Sequence, residues 1–454
     1  MTEQQGSLGD NAVAKTSGKP GALGFAEHPQ RVNVLGELHA RPFLPMEMPR
    51  RIYHFAFMTD ADEAQEDRKA VAALAAQRGA APPAADARYH FFDFGPWDLR
   101  WEQHAEFTTY TWSTSRGAEE PFAHPNPIAA GEISFRGPGE LISAVHMCCI
   151  ARGELIEDLS GYLDAASLCV IRAAEHSARV ATDFQVDPVG FTRILVESTG
   201  LTKTRAGRLT QRVLEIETYR TLSLLGLPVS RSIRADLDRM ESELAAITSE
   251  VATVESSHKS QELLRRLSAL TAELEAQAAR TAYRFSATRA YYSIVNSRLD
   301  VIREAQSEEY PTISAFFNRR LRPAIDTCDA AEARQSRLSV QLARTTELLS
   351  TGIQSDLEQQ NRDLLQSMNR RARMQLLLQQ TVEGLSVAAI SYYVVGLVGY
   401  LAKGLKEAGL LPHEIGTGVV MGVAVPVVVL SVWFAMHQIR RHVHKAGDDA
   451  DHDE

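Results

Sequence analysis

Cysteine is nearly missing from this sequence. Cys148, Cys149, Cys169 and Cys328 show no C-x-x-C spacing, which argues against a disulfide framework or a thiolate zinc site and for buried, reduced thiols. Sustained basic runs are also missing. Asp and Glu outnumber Lys and Arg, 57 to 48, for a formal charge of -9, so no nucleic-acid partner is expected. No Walker-type phosphate loop, no G-x-S-x-G elbow and no H-E-x-x-H pair occurs, which removes the common signatures of nucleotide, serine-hydrolase and zinc-protease chemistry. No enzymatic activity, cofactor or metal is therefore expected. Residues 1–24 are polar and Gly/Ser-rich, lack the apolar core of a secretory signal and read as a disordered tail.

Charge is missing altogether from two C-terminal runs. Gly384–Ala402 and Ile415–Met436 are each near the roughly 20 residues needed to cross a hydrocarbon core of about 30 Å. Both are expected to span a bilayer; a buried hairpin of a soluble domain is the alternative. Arg362, Arg370, Arg371 and Arg373 precede the first run and Arg440, Arg441 and Lys445 follow the second, while the connector 403–414 has only Lys403 and Lys406. This bias places both termini in the cytoplasm, joined through two spans. The fragment "GTGVVMG" imitates part of a dinucleotide loop but lies inside an apolar run, so Gly418-x-x-x-Gly422 reads as a helix-packing face. Residues 437–454 form a basic, then acidic tail.

The preceding residues read as an α+β domain, long helices with a coiled coil, and then the spans. Within 25–200, "RIYHFAFM", "RYHFFDFG", "DLRWEQHA" and "FTTYTWS" suggest an antiparallel meander, with a helix in "DADEAQEDRKAVAALAAQRG". "ISAVHMCCI", "SLCVIRAA", "ARVATDFQV" and "GFTRILVES" supply further strands. Region 201–311 is helical, opening with an amphipathic helix that ends at Gly226 and Pro228. No proline occurs between Pro323 and Pro412, so one helix is expected from Ala324 through the first span, with 312–383 as a stalk. Leu342, Leu349, Ile353, Leu357, Leu364 and Met368 recur at spacings of seven and four, a seam that predicts a homo-oligomer. Gly352 and Gly384 are points where the helix could bend.

Candidate ligand-binding residues cluster in "HPQRVNVLGELHARPF": His28, Arg31, Glu37, His39 and Arg41. Imidazole and carboxylate suit zinc or manganese, but a metal site needs three or four converging groups and no paired motif supplies them. Alternation of Val32 and Val34 with Asn33 and Leu35, between Pro29 and Pro42, predicts a strand and turn, with Glu37 or Arg41 ion-paired to the helical region. His104, His124 and His146 are scattered and read as satisfied core or surface histidines. In "EIETYR", Glu215, Glu217 and Arg220 share a helix, and the i,i+3 spacing of Glu217 and Arg220 predicts a structural ion pair. If the stalk associates, Ser386, Ser391, Tyr393 and Gly396 could line an axis with Lys403 at its outer end. Which small ligand or ion the protein takes is left open.

Taken together, "HPQRVNVLGELHARP", "LEIETYRTLSLLGLP" and "AAISYYVVGLVGYLAKG" resemble a bacterial family of membrane-anchored proteins, a domain of unknown function with some members labelled egg lysin-like. The resemblance runs from about Phe25 to Arg441 and implies a membrane protein without implying a reaction. The order of domain, stalk and two spans is also similar in architecture to CorA-type magnesium transporters. Those carry a Gly-Met-Asn motif at the outer mouth of the first span, where this chain reads "GYLAKGLKEAG".

Overall fold

The computed structural model describes residues 43–448 except 85–86, 117–120, 152–155, 254–256, 307–308 and 409–415, together with positions 25, 28, 31 and 35. The chain divides into two compact units: Met1–Thr253 with Arg265–Thr346, and Val254–Leu264 with Glu347–Glu454.

Strands β1 (Arg50–Met58), β2 (Tyr89–Asp93), β3 (Asp98–Gln103), β4 (Phe107–Thr114), β5 (Glu140–Ile150), β6 (Cys169–Ala173), β7 (Ala178–Val186), β8 (Thr192–Ser198) and β9 (Ala305–Gln306) build the first unit's sheet. They form a 9-stranded sheet in the order β2-β3-β4-β1-β5-β8-β7-β6-β9. Among the described residues only β5 and β8 pair in parallel, so the sheet is mixed. The expected meander is present as β2-β3-β4, and β1 joins it beside β4. Along β1, Tyr53, Phe55 and Phe57 enter an aromatic core with Trp101, Tyr110 and Trp112. Ile52 and Ala56 point the other way into separate apolar clusters. Burial on both faces explains why β1 reads as a nearly unbroken apolar run.

Helix α1 (Ala61–Gln77) covers the aromatic face. Its capping box is complete: the Asp60 side chain accepts from the Asp62 and Glu63 N–H groups, and Glu63 returns a bond to the Asp60 N–H. Helix α2 (Lys203–Ser223) covers the opposite face, where Ala206, Leu209, Val213 and Ile216 pack with Val145, Met147, Val180 and Val196. It stops before the expected glycine and proline. A short α3 (Gly226–Ser232) follows, with Pro228 in its first turn, where a missing N–H leaves no bond unmade.

Helices α4 (Arg234–Val251), α5 (Ser257–Ile302), α6 (Ile313–Arg320) and α7 (Arg322–Glu407) complete the helical layer. Arg239 meets Glu273 and Arg266 meets Glu250, while Gln335 meets Gln277 and Arg289 meets Asp329, so α4, α5 and the start of α7 pack in alternating directions. Tyr292, Val295 and Leu299 of α5 enter the same core as α2. Apart from Val254–Leu264, the helices after Leu201 therefore share one compact unit with the sheet as far as Thr346.

In the second unit α7 remains helical through Gly352 and Gly384 and continues to Glu407. Lys403, Lys406 and Glu407 are thus helical rather than part of a connector loop. The seam divides: Leu342 and Leu349 are buried within the chain, whereas Leu357, Leu364 and Met368 are 52%, 58% and 58% exposed. The last helix is α8 (Thr417–Asp448), with Pro426 inside it. A Cβ on Gly418 or Gly422 would meet nothing within 4 Å, so among the described residues of this chain neither glycine is a packing contact. The close approach is elsewhere, at Gly399, where a Cβ would lie 3.0 Å from the Met421 sulfur. These glycines sit on an open side of α8, and sequence spacing alone does not say which side of a helix faces its neighbour.

Candidate functional site

Strict alternation in β3 and β4 places Leu99, Trp101, Tyr110 and Trp112 in the aromatic core and leaves a polar face opposite. Cross-strand register aligns Asp98 with Ser113, Arg100 with Thr111 and Glu102 with Thr109. The β1 register adds Ile52 beside Ser113 and His54 beside Thr111. A polar face would ordinarily meet water. Here α2 lies over it and supplies Gln211, Leu214, Glu215 and Thr218, so a cleft with two hollows of about 380 Å³ and 190 Å³ forms between helix and sheet. Arg100, Gln211 and Leu214 border both hollows.

The cleft is held by a polar chain. Arg50 Nη1 donates to Asp98 at 2.7 Å and to Ser113 at 3.2 Å. Arg100 Nη1 donates to Gln211 Oε1 at 2.8 Å, Gln211 Nε2 donates to Glu215 at 2.9 Å, and Arg298 pairs with Glu215. Glu102 Oε1, Arg50 Nε and Arg100 Nε are buried and find no hydrogen-bond partner among the described residues. Leftover donors and a carboxylate oxygen beside a hollow suit a small ligand that both accepts and donates hydrogen bonds.

His54 is already committed. Its rings nitrogens lie 2.8 Å from Thr111 Oγ1 and 2.9 Å from Thr218 Oγ1. Thr218 donates its own proton to the Leu214 carbonyl, so it accepts from His54 Nε2–H, and Nδ1 accepts from Thr111. Burial and the nearby Arg100 hold the ring neutral, with its pKa pushed down to about 3. Such a ring is a weak base near neutrality.

One side of the cleft is formed by the segment that follows the histidine-rich stretch. Phe43 borders the smaller hollow, and Leu44 to Glu47 border the larger. The Met46 N–H donates to the Lys203 carbonyl at 2.9 Å, and a Cβ on Gly207 would lie 1.9 Å from the Leu44 carbonyl oxygen. Glycine is required for that approach. Gly207→Ala is expected to push the segment off α2 and lower stability by about 1–3 kcal/mol. Limited proteolysis should then cut near Leu44 faster than in the parent chain.

A second polar centre lies on the aromatic face. Arg51, 3% exposed, donates to Glu132 at 2.7 Å, and its guanidinium lies 5.7 Å and 5.5 Å from the Tyr53 and Trp97 ring centres. His124 reaches the other Glu132 oxygen at 3.2 Å. His146 stacks on Tyr53 at 4.4 Å, and its Nε2 is 3.8 Å from the Cys148 sulfur. Burial, with Arg51 and Arg193 nearby, pushes the His146 pKa down to about 3. His104 is remote from this centre, stacked on Phe107 beside the cleft.

Of the candidates read from sequence, Glu37, His39 and Arg41 lie outside the described residues. Arg31 and Leu35 are helical rather than extended, and the Arg31 N–H donates to the His28 carbonyl at 2.9 Å. A helical turn satisfies its own backbone, whereas a strand needs a neighbour. No cluster of three metal-capable side chains occurs among the described residues. Ser391, Tyr393 and Gly396 border a largely apolar groove of about 830 Å³ between α7 and α8. Ser386 instead bonds back to the Val382 carbonyl, and Lys403 is exposed outside that groove.

Residues 26–443 match the family described as Protein of unknown function (DUF3422), which takes in the sheet, the cleft and both apolar segments. The chain belongs to that family. No curated protein matches it. Membership in DUF3422 agrees with the resemblance carried by the three sequence motifs and brings no reaction with it; nothing in the match extends to the CorA type. Sequence reading missed Arg100, Glu102 and Gln211. Their signal was the strict polar alternation of "DLRWEQ", but its partner surface on α2 lies more than a hundred residues away in the chain.

Proposed function

We propose that this DUF3422 protein is a membrane-anchored binding module, in which a cytoplasmic α+β domain takes a polar ligand in the cleft beneath α2. The observation that carries the anchoring is bare apolar surface. The hydropathic windows of the two candidate spans are 11% and 0% buried, whereas the core helix of a soluble protein is mostly covered. Leu385, Leu397, Leu401, Val423 and Leu430 all face outward, as lipid contact requires. Binding rather than catalysis is favoured by the commitment of His54 to two threonines.

The bilayer is thus the first partner, in a bacterial inner membrane with both termini cytoplasmic. A second copy of the chain is the other, through the exposed Leu357, Leu364 and Met368. Lys403 at the end of the first span disfavours divalent cations, so magnesium conduction is expected to be absent or weak. Cell fractionation tests the anchoring: the full chain should stay with carbonate-washed membranes, and truncation before Thr381 should release it. Recovery of the full chain in the soluble fraction would sink the proposal. For the topology, externally added thiol reagents should label cysteines placed at Gly404 to Pro412 and leave tags at both termini untouched.

A further inference from the structure

On the flank of α2 away from the cleft, a groove of about 450 Å³ runs between that helix, the end of α5 and the β6–β7 turn. Its charge is one-sided. Arg205, Arg208, Arg212 and Arg303 face it, against the carboxylates of Glu175 and Asp300. Glu175 is shared, 3.2 Å from Arg205 and 3.7 Å from Arg303. Among the described residues Arg208 and Arg212 have no ion pair; both lie over the Phe43 ring, at 5.8 Å and 5.5 Å. Burial, together with Arg298 and Arg208 and only partly offset by Glu215, holds Arg212 below the usual arginine range.

The arrangement is unfavourable for the chain alone. Arginines at 205, 208 and 212 recur along one side of α2, and no acidic residue occupies its first turn. Clustered cations repel one another, and those nearest the start of a helix also oppose its dipole. The Glu175 carboxylate is brought to the rim by a strained turn, in which Ala174, Glu175 and His176 have φ of 51, 57 and 63°. It stands where an external anion would stand.

We propose that this groove binds a phosphate-bearing anion of two or more negative charges, gripped by Arg208 and Arg212 and flanked by Arg205 and Arg303, with the Glu175 carboxylate displaced. Guanidinium pairs match the geometry of phosphate oxygens, and a multiply charged anion offsets more of the repulsion than a carboxylate does. The phosphate could belong to a soluble metabolite or to a lipid headgroup. The groove shares no lining residue with the cleft, although Phe43 beneath Arg208 and Arg212 also borders the smaller hollow, and the proposal does not rest on that reading.

Calorimetric titration of the full-length protein in phosphatidylcholine nanodiscs with inorganic pyrophosphate tests it. One equivalent should bind, more weakly as salt rises. The combined Arg208→Ala and Arg212→Ala change should weaken binding by about tenfold or more, while Glu175→Gln strengthens it severalfold. Replacing Arg239 and Arg266, elsewhere on the surface, should leave affinity unchanged. No binding by a folded parent chain, or equal binding by the Arg208/Arg212 variant, overturns the proposal. An increase with Glu175→Gln cannot arise from misfolding, so that variant keeps the test decisive if the arginine variant is unstable. Repeating the titration with phosphatidic acid in the nanodiscs distinguishes the sources: loss of pyrophosphate affinity assigns the groove to lipid headgroups, and retained affinity assigns it to soluble phosphates.

Discussion

Replacing Arg220 by alanine is expected to destabilise the α+β domain by about 3–5 kcal/mol. Glu217 is almost completely buried, and Arg220 meets it with two bonds, Nε at 2.7 Å and Nη2 at 2.6 Å. Thr192 donates a third bond to the same carboxylate at 3.0 Å, tying α2 to β8. Burial alone would lower the Arg220 pKa, but the charge and hydrogen bonds of Glu217 outweigh it and raise the pKa above the usual arginine range. Removing the guanidinium leaves a buried charge with only a hydroxyl to compensate it. Removing both charges, as Glu217→Leu with Arg220→Leu, should recover most of the loss, because apolar side chains of similar volume carry no desolvation penalty. Denaturant melts of Arg220→Ala, and of the parent, Glu217→Leu, Arg220→Leu and the double variant as one double-mutant cycle, check this; a loss below about 1 kcal/mol for Arg220→Ala would show that the pair is not the brace it is taken to be.

Acidification should destabilise the protein well before its exposed carboxylates titrate. His54 and His146 are both buried neutral, with pKa values pushed down to about 3 against about 6.5 in an unfolded chain. Between those values the unfolded state binds a proton that the folded state does not. Stability therefore rises with pH through this window and is lost as pH falls below about 6.5. Each ring contributes about 1.4 kcal/mol per pH unit, so the two together remove about 4 kcal/mol between pH 7 and pH 5. Asp67 works in the opposite sense at the lower end, since burial raises its pKa although Tyr110 and Trp101 hydrogen-bond to it. Melts at pH 7.5, 6 and 5 should show the loss, and His54→Asn and His146→Gln should each remove about half of the slope. An unchanged slope in both variants would assign the acid sensitivity elsewhere.

Much of the local structure was legible in the residues. Segments rich in aromatic and β-branched residues marked β1 to β8, because such side chains suit a pleated surface packed against its neighbours. The Glu217–Arg220 pair followed from i,i+3 spacing, and it forms. The two-residue β9 was not legible, since Ala305 and Gln306 are strand only by virtue of pairing with Ile171 and Arg172. The seam was legible as a pattern but not as an assignment: the same spacing describes Leu342, buried in its own chain, and Leu364, exposed.

The sequence by itself determined the membrane-length apolar helices and the absence of the common catalytic motifs, because chain length without charge and motif spacing are local, additive properties. Only the tertiary structure decided what the polar faces do. "DLRWEQ" and "TTYTWS" announce one apolar and one polar side, and local chemistry would assign the polar side to water. Its burial under α2, with Arg100 against Gln211 and His54 between two threonines, depends on a helix that begins at Lys203, far beyond the strands in sequence. The same holds for Gly207. Nothing next to it in the chain requires glycine; the requirement comes from the Leu44 carbonyl, brought against it only when the fold closes.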